Sequence, residues 1–131
     1  MAGIDVVLAD TEPLSLIGMR SAIANQRDIR ILAECPGPQC LVEAVRNQRP
    51  DVLLINATLL HDEFGVLKEL VSQNAKINVI VVTSHRDPGF ADGALKSGAR
   101  GVIHTECPVD EIPTAIRKVT SGGVWRERVA A

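Results

Sequence analysis

The chain has 131 residues, of which 46% are hydrophobic and 23% charged, with a formal net charge of -2. This is the size and composition of one soluble globular domain and not of a disordered chain; no overall basic field exists to attract nucleic acid or anionic lipid. No stretch approaches a membrane span and no leader resembling a signal peptide opens the chain, so a cytoplasmic location is expected.

Two kinds of segment alternate along the chain. β-Branched apolar runs at Ile4–Ala9, Ile29–Ala33, Asp51–Ile55, Ile77–Thr83 and Gly101–His104 predict five strands. The third and fourth, Val-Leu-Leu-Ile and Val-Ile-Val-Val, are continuously apolar, as strands covered on both faces should be. Between them, Leu41, Ala44, Val45 and Gln48 fall at i, i+3, i+4, i+7. Ala91, Ala94, Leu95 and Gly98 repeat that spacing, as do Ile112, Ala115, Ile116 and Val119. Pro13 and Pro88 suit first helical positions, while Gly98 and the Gly122–Gly123 pair suit helix C-termini. Pro113 falls in the first turn of a helix begun near Asp110, where its missing N–H does no harm.

Five strands alternating with five helices predict an α/β fold, a three-layer sandwich on a parallel sheet built from right-handed crossovers. The expected strand order is the flavodoxin-like 2-1-3-4-5, with strands two and five at opposite edges. In such sheets, chemistry sits outside the carboxyl ends of the strands, where the winding reverses between strands one and three. The residues there are Asp10, Thr11 and Glu12, then Asn56, with Thr83–Ser84 and Thr105–Glu106 beside them.

Four segments carry a resemblance. Val-Leu-Ala-Asp-Thr-Glu-Pro-Leu (7–14) is similar to the opening of receiver domains of NarL/FixJ (LuxR-type) response regulators, where Asp-Asp-His-Pro is usual. Residues 49–56 resemble their third strand, 79–83 their fourth, and 98–103 the Gly-Ala-x-Gly-Tyr motif. The resemblance implies a phosphorylation pocket, and the departures from the pattern imply that it is degenerate. Asn56 stands where the phospho-acceptor Asp belongs; a carboxamide is neutral and poorly nucleophilic. Thr11 replaces an acidic magnesium ligand, Thr105 the essential Lys, and Val102 the switch aromatic. Of the active parts only Asp10 and Thr83 remain, with Glu12 one residue beyond the usual acidic pair. Placing an acceptor at Asp51 or Asp62 would require the third strand to be misaligned. Gly65 sits one residue late for the glycine that closes the following loop, so that loop is expected to be altered.

The expectation is a non-enzymatic pseudo-receiver regulating an attached output without phosphorylation, with no cofactor and no metal. Residues 1–122 form the receiver-like domain, and 123–131 begin a linker to a C-terminal helix-turn-helix that would bind DNA. A homodimer through the first and fifth helices is expected, using Thr114, Arg117, Lys118 and Ser121 on a mostly polar face; a stand-alone adaptor with a protein partner is the alternative. A small-ligand sensor is a second class: Trp125 and Arg128 partly match a Trp-x-x-Arg motif of receivers that bind cyclic di-GMP, but the two residues between them do not. Trp125 is therefore read as packing near the end of the last helix. Cys35-Pro36 and Cys107-Pro108 resemble haem-regulatory dipeptides and are read as turn prolines after strands two and five. Glu12, His61, Asp62 and Glu63 form an acidic rim read as a solvated loop. An enzyme is disfavoured, since no phosphate-cradling glycine loop or nucleophile–base pair is evident.

Overall fold

The computed structural model describes residues 3–60 and 64–126. Strands β1 (Ile4–Ala9), β2 (Ile29–Cys35), β3 (Val52–Asn56), β4 (Asn78–Thr83), β5 (Gly101–His104) and β6 (Trp125–Arg126) alternate with helices α1 (Pro13–Ile23), α2 (Pro38–Gln48), α3 (Gly65–Gln73), α4 (Pro88–Lys96) and α5 (Glu111–Thr120). The sheet order is β2-β1-β3-β4-β5-β6 and all neighbours are parallel. The expected flavodoxin-like order is met for the first five strands.

Strand alternation explains the three layers. Val7, Ala9, Leu53, Ile55, Val79 and Val81 point to one face and meet Leu41, Val45, Leu67, Leu70 and Ala94 of α2, α3 and α4. Val6, Leu8, Val52, Leu54, Ile80 and Val82 point to the other and meet Met19, Ile23, Ala115, Ile116 and Val119 of α1 and α5. A strand buried on both faces has no polar side to show, which is why β3 and β4 read as unbroken apolar runs. Pro113 is buried in the first turn of α5, as its sequence position requires.

Two expectations change at the sheet edge. Strand five is not an edge, because Gly101 and Val102 pair with Trp125 and Arg126. Trp125 accordingly lies in a strand and not at a helix end, its N–H donating to the Arg100 carbonyl at 2.9 Å. The segment expected to open a linker at residue 123 thus contributes two residues to the sheet.

Gly98 follows α4 with φ +113°, and a Cβ there would stand 3.0 Å from Val71 of α3. Both the dihedral and the contact exclude a side chain. Gly122 has φ +94° but open space around it. Gly98→Ala should therefore cost about 2–3 kcal/mol and Gly122→Ala about 1 kcal/mol, read from urea unfolding midpoints at constant m-value. Equal losses would mean that the Val71 contact carries no weight.

Candidate functional site

At the carboxyl ends of β1 and β3 the chain places an amide against a carboxylate. Asp10 is completely buried, and Asn56 nearly so. The Asn56 Nδ2 donates to Asp10 Oδ2 at 2.9 Å, and the Glu12 backbone N–H donates to Asp10 Oδ1 at 2.9 Å. The other end of the amide is equally committed: Asn56 Oδ1 accepts from the Thr58 N–H at 3.0 Å. Only one orientation of the carboxamide satisfies both partners, since its oxygen cannot donate to a carboxylate. The local reason is an Asx-type turn, in which a short polar side chain captures the N–H two residues on, repeated at Asp10–Glu12 and Asn56–Thr58.

A short 3-10 turn, Ala57–Leu60, continues from β3. It brings the Thr58 hydroxyl within 3.4 Å of the Thr11 hydroxyl, joining the two loops. Glu12 precedes α1 as its N-cap and is exposed; its side chain makes no capping bond. At the neighbouring strand ends, Thr83 is buried, and its Oγ1 accepts from the His85 N–H at 3.0 Å. Thr105 is exposed, and its N–H donates to the Thr83 carbonyl at 2.9 Å. The sheet therefore brings Asp10, Thr11 and Asn56 into one bonded set, with Thr83 and Thr105 linked to each other beside it.

Thr58 was not singled out by sequence, although its place two residues after Asn56 is the signal of an Asx turn. His104 is buried, with Nε2 3.1 Å from the Ser84 carbonyl and Nδ1 accepting from the Glu106 N–H at 3.1 Å. The neutral imidazole carrying its proton on Nε2 satisfies both contacts.

Asp51 lies before β3, at the opposite end of the sheet, where its Oδ2 accepts from the Asp5 N–H at 2.8 Å. It is thus far from the crevice in topology. His61, Asp62, Glu63 and Arg128 lie outside the described residues. Among the described residues, no group of three or more His, Cys, Asp or Glu is placed to hold a metal ion. Cys35 ends β2 and is fully buried; burial first, then the neighbouring Cys40 thiol, pushes it up to about 12. Cys107 follows β5, and β1, β3 and β4 intervene between β2 and β5. Four inter-strand steps, about 19 Å, keep the two Cys-Pro thiols from one iron.

Thr114, Arg117, Lys118 and Ser121 are exposed on and just after α5. The Arg117 guanidinium is bound to the Asp28 carboxylate, with two contacts of 2.8 Å. That bond holds the Asp28 carboxyl below its ordinary value and raises Arg117. The face is not wholly polar: Leu14 is 82% exposed and Ile17 48% exposed on α1, with Val109 exposed just before α5. Trp125 packs on the core layer beneath α1 and α5.

Chemically, the crevice holds one buried carboxylate, both of whose oxygens accept hydrogen bonds, and a neutral amide bonded to it.

Comparison with known proteins agrees with the architecture. The family model for the response regulator receiver domain matches residues 6–117. The transcriptional regulatory protein DegU of Brevibacillus brevis is 24% identical over 123 residues, 93% of this chain and 52% of the relative. DesR of Bacillus subtilis, also a transcriptional regulatory protein, is 25% identical over 120 residues, 91% of this chain and 59% of the relative. The chain thus spans little more than half the length of these curated relatives. Among solved structures, the isolated REC domain of RcsB from Salmonella enterica serovar Typhimurium, in the apo form, superposes with a TM-score of 0.89 at 17% identity. It covers 96% of this chain and 94% of that one. The receiver domain of the response regulator NarL from Mycobacterium tuberculosis gives 0.85 at 23% identity, covering 93% and 99%.

The amide bridge predicts the behaviour of Asn56→Asp. A second carboxyl would face Asp10 without a proton to donate, and ionising it becomes unfavourable. Its folded-state pKa is then raised above the unfolded value of about 3.9, so the variant is least impaired below that pH and loses stability as pH rises through the raised value. Urea melts of wild type and variant should diverge between pH 4 and pH 8, by about 1–3 kcal/mol at the upper end without divalent ions. Parallel curves would show that position 56 does not sense the Asp10 charge.

Proposed function

The chain belongs to the response regulator receiver domain family, and from that premise we propose that it is a pseudo-receiver, regulating a DNA-binding output without accepting a phosphoryl group. The observation that carries the reading is the Asn56–Asp10 bridge at 2.9 Å. In a receiver the third strand ends in the carboxylate that attacks a phosphoryl donor, and here that strand ends in a carboxamide. The charge that a phosphoryl group would need compensated also lacks its usual partners, since position 11 carries a hydroxyl in place of a metal-binding carboxylate and position 105 a hydroxyl in place of an ammonium. Asp10 then serves as a structural anion. No magnesium is invoked, and the reading assigns no catalytic residue and no cofactor.

Regulation in this scheme acts through protein contacts. DegU and DesR are transcriptional regulators, and an RcsB–DNA complex has been solved. The output of this protein is accordingly assigned to a helix-turn-helix, in the cytoplasm, following the receiver-like domain, whose expected end at residue 122 the β5–β6 pairing moves to Arg126 or beyond. The contact surface is assigned to α1 and α5 of two copies. Leu14 and Ile17, one helical turn apart on α1, supply an apolar centre; Thr114, Lys118 and Ser121 supply a polar rim. Arg117 is tied to Asp28 in an exposed ion pair and contributes little on its own. A ligand shifts an equilibrium only through differential affinity, so an association not governed by phosphate is set by this surface alone.

Incubation with acetyl phosphate and magnesium, followed by intact mass measurement, should show no phosphoryl adduct on the wild-type chain. An adduct mapped to any crevice residue would overturn the reading. In sedimentation velocity, beryllofluoride with magnesium should leave the distribution unchanged, whereas Leu14→Glu should weaken self-association about tenfold or more, the usual loss at a buried contact. A monomer that dimerises only with beryllofluoride would mean that the pocket works after all.

A further inference from the structure

A cavity of about 490 Å³ opens between α4 and β5; Thr83 and His104 at the strand ends line it, while Asp10 and Asn56 do not. Its origin is a shortage of side-chain volume on both walls. Helix α4 reads Pro-Gly-Phe-Ala-Asp-Gly-Ala-Leu-Lys and buries only Ala94, while β5 presents the small Val102. The one large apolar residue of the first turn, Phe90, turns aside and stacks on His85, ring centroids 4.7 Å apart and planes 22° from parallel. The void has the volume of a small-molecule pocket, and its lining is predominantly apolar with a few convergent polar groups.

We propose that this cavity binds a small planar aromatic anion. Three features select that class. Val102 and Ala91 provide an apolar floor and side, and the stacked Phe90–His85 pair provides a flat π-surface along the wall. Arg86 and Arg126 stand in the lining and bring two guanidinium groups, which match carboxylate, sulfonate or phosphate oxygens by two-point hydrogen bonding. The single lining carboxylate, Asp87, is already used as the N-cap of α4, accepting from the Gly89 N–H at 2.9 Å. Both arginines are ion-paired at the surface, Arg86 with Glu106 and Arg126 with Asp92. Exposed pairs of this kind contribute little and exchange readily for a better anion.

The position gives such a ligand a route to the rest of the chain. Arg126 belongs to β6, which pairs with β5 at Val102, so an anion held by Arg126 fixes the strand from which the chain continues. As an input to an output domain the site rests on the regulatory reading above; as a binding site it does not.

The test uses 1-anilinonaphthalene-8-sulfonate, an aromatic anion built on a planar naphthalene ring, and its uncharged relative N-phenyl-1-naphthylamine, titrated into the full chain. Fluorescence should give saturable one-to-one binding, with amide shift changes in ¹H–¹⁵N spectra centred on residues 85–91 and 101–104. Val102→Phe fills the cavity from the strand and should weaken binding of the sulfonate about tenfold or more, by loss of pocket volume. Ala91→Leu fills it from the helix and gives the same reading should Val102→Phe fail to fold. Arg86→Gln and Arg126→Gln should each weaken the sulfonate about three- to tenfold while leaving the uncharged probe within about twofold. Undiminished binding to both filled variants, equal loss of the two probes in the arginine variants, or shifts centred on Asp10 and Asn56 would overturn the proposal. Acetyl phosphate is absent from these titrations, so their result stands apart from the phosphorylation assay.

Discussion

The fold's polar end is organised around one buried charge. Asp10 sits at the close of β1, fully removed from water, where an isolated carboxylate would be driven to neutralise itself. Two donors make the burial tolerable, the Glu12 N–H and the Asn56 amide. The first belongs to Asp10's own turn and comes with the chain path. The second comes from β3, so the bond staples together the two strands that flank the reversal in winding. An Asp at position 56 would accept the Thr58 N–H equally well but would set charge against charge at Asp10. The amide is thus the residue that satisfies both sides of this contact in the absence of a cation.

An acid beside an amide differs from a pair of acids in what it needs. Two acids close together are poised to share a metal ion or to hold a proton between them, and their arrangement depends on what binds. An acid and an amide need nothing further. The Asp10–Asn56–Thr58 chain, with Thr11 against Thr58, is closed on itself, and it holds the β1 and β3 loops in one arrangement. Closed polar networks rigidify the elements they join. On the proposed reading, the end of the sheet where a receiver takes its phosphoryl group is here a hydrogen-bonded joint between two loops.

Most of the fold was legible in the sequence because its strands are buried on both faces. Val52–Ile55 and Val79–Val82 show no alternation to misread, and proline and glycine mark the helix ends at Pro13, Pro88 and Gly98. The five-strand order followed from the alternation of elements. β6 was not legible: two residues have no periodicity, and Trp125–Arg126 is a strand only because Arg100 and β5 offer it partners. The crevice was legible at Asp10, Asn56 and Thr83 because strand ends locate it. The Thr58 link escaped because it belongs to the turn after Asn56 and not to the strand. Leu14 and Ile17 carried no warning either, since α1 has apolar residues on several sides and only packing tells which are left outside.

The cavity was invisible for a different reason. A void is a property of what two walls lack. Ala91 is an ordinary helix residue, and Val102 is an ordinary strand residue. Only when α4 lies across β5 do their small volumes coincide, and only then is Phe90 seen to lean on His85. Packed interiors resist deformation because their side chains already fill the space. A gap beside a well-packed sheet leaves side chains on both walls without partners on one side. The Asp10 end of the sheet is locked by hydrogen bonds, and the apolar faces of β3 and β4 are locked by packing. The flank formed by α4, β5 and β6 is held by Ala94, with Phe90, Ala91 and Leu95 packed partly buried beside it, by the β4–β5 pairing and by exposed ion pairs at its rim. The two ends of the sheet thus differ in kind: hydrogen bonds close the Asp10 end, and open space lies beside α4 and β5.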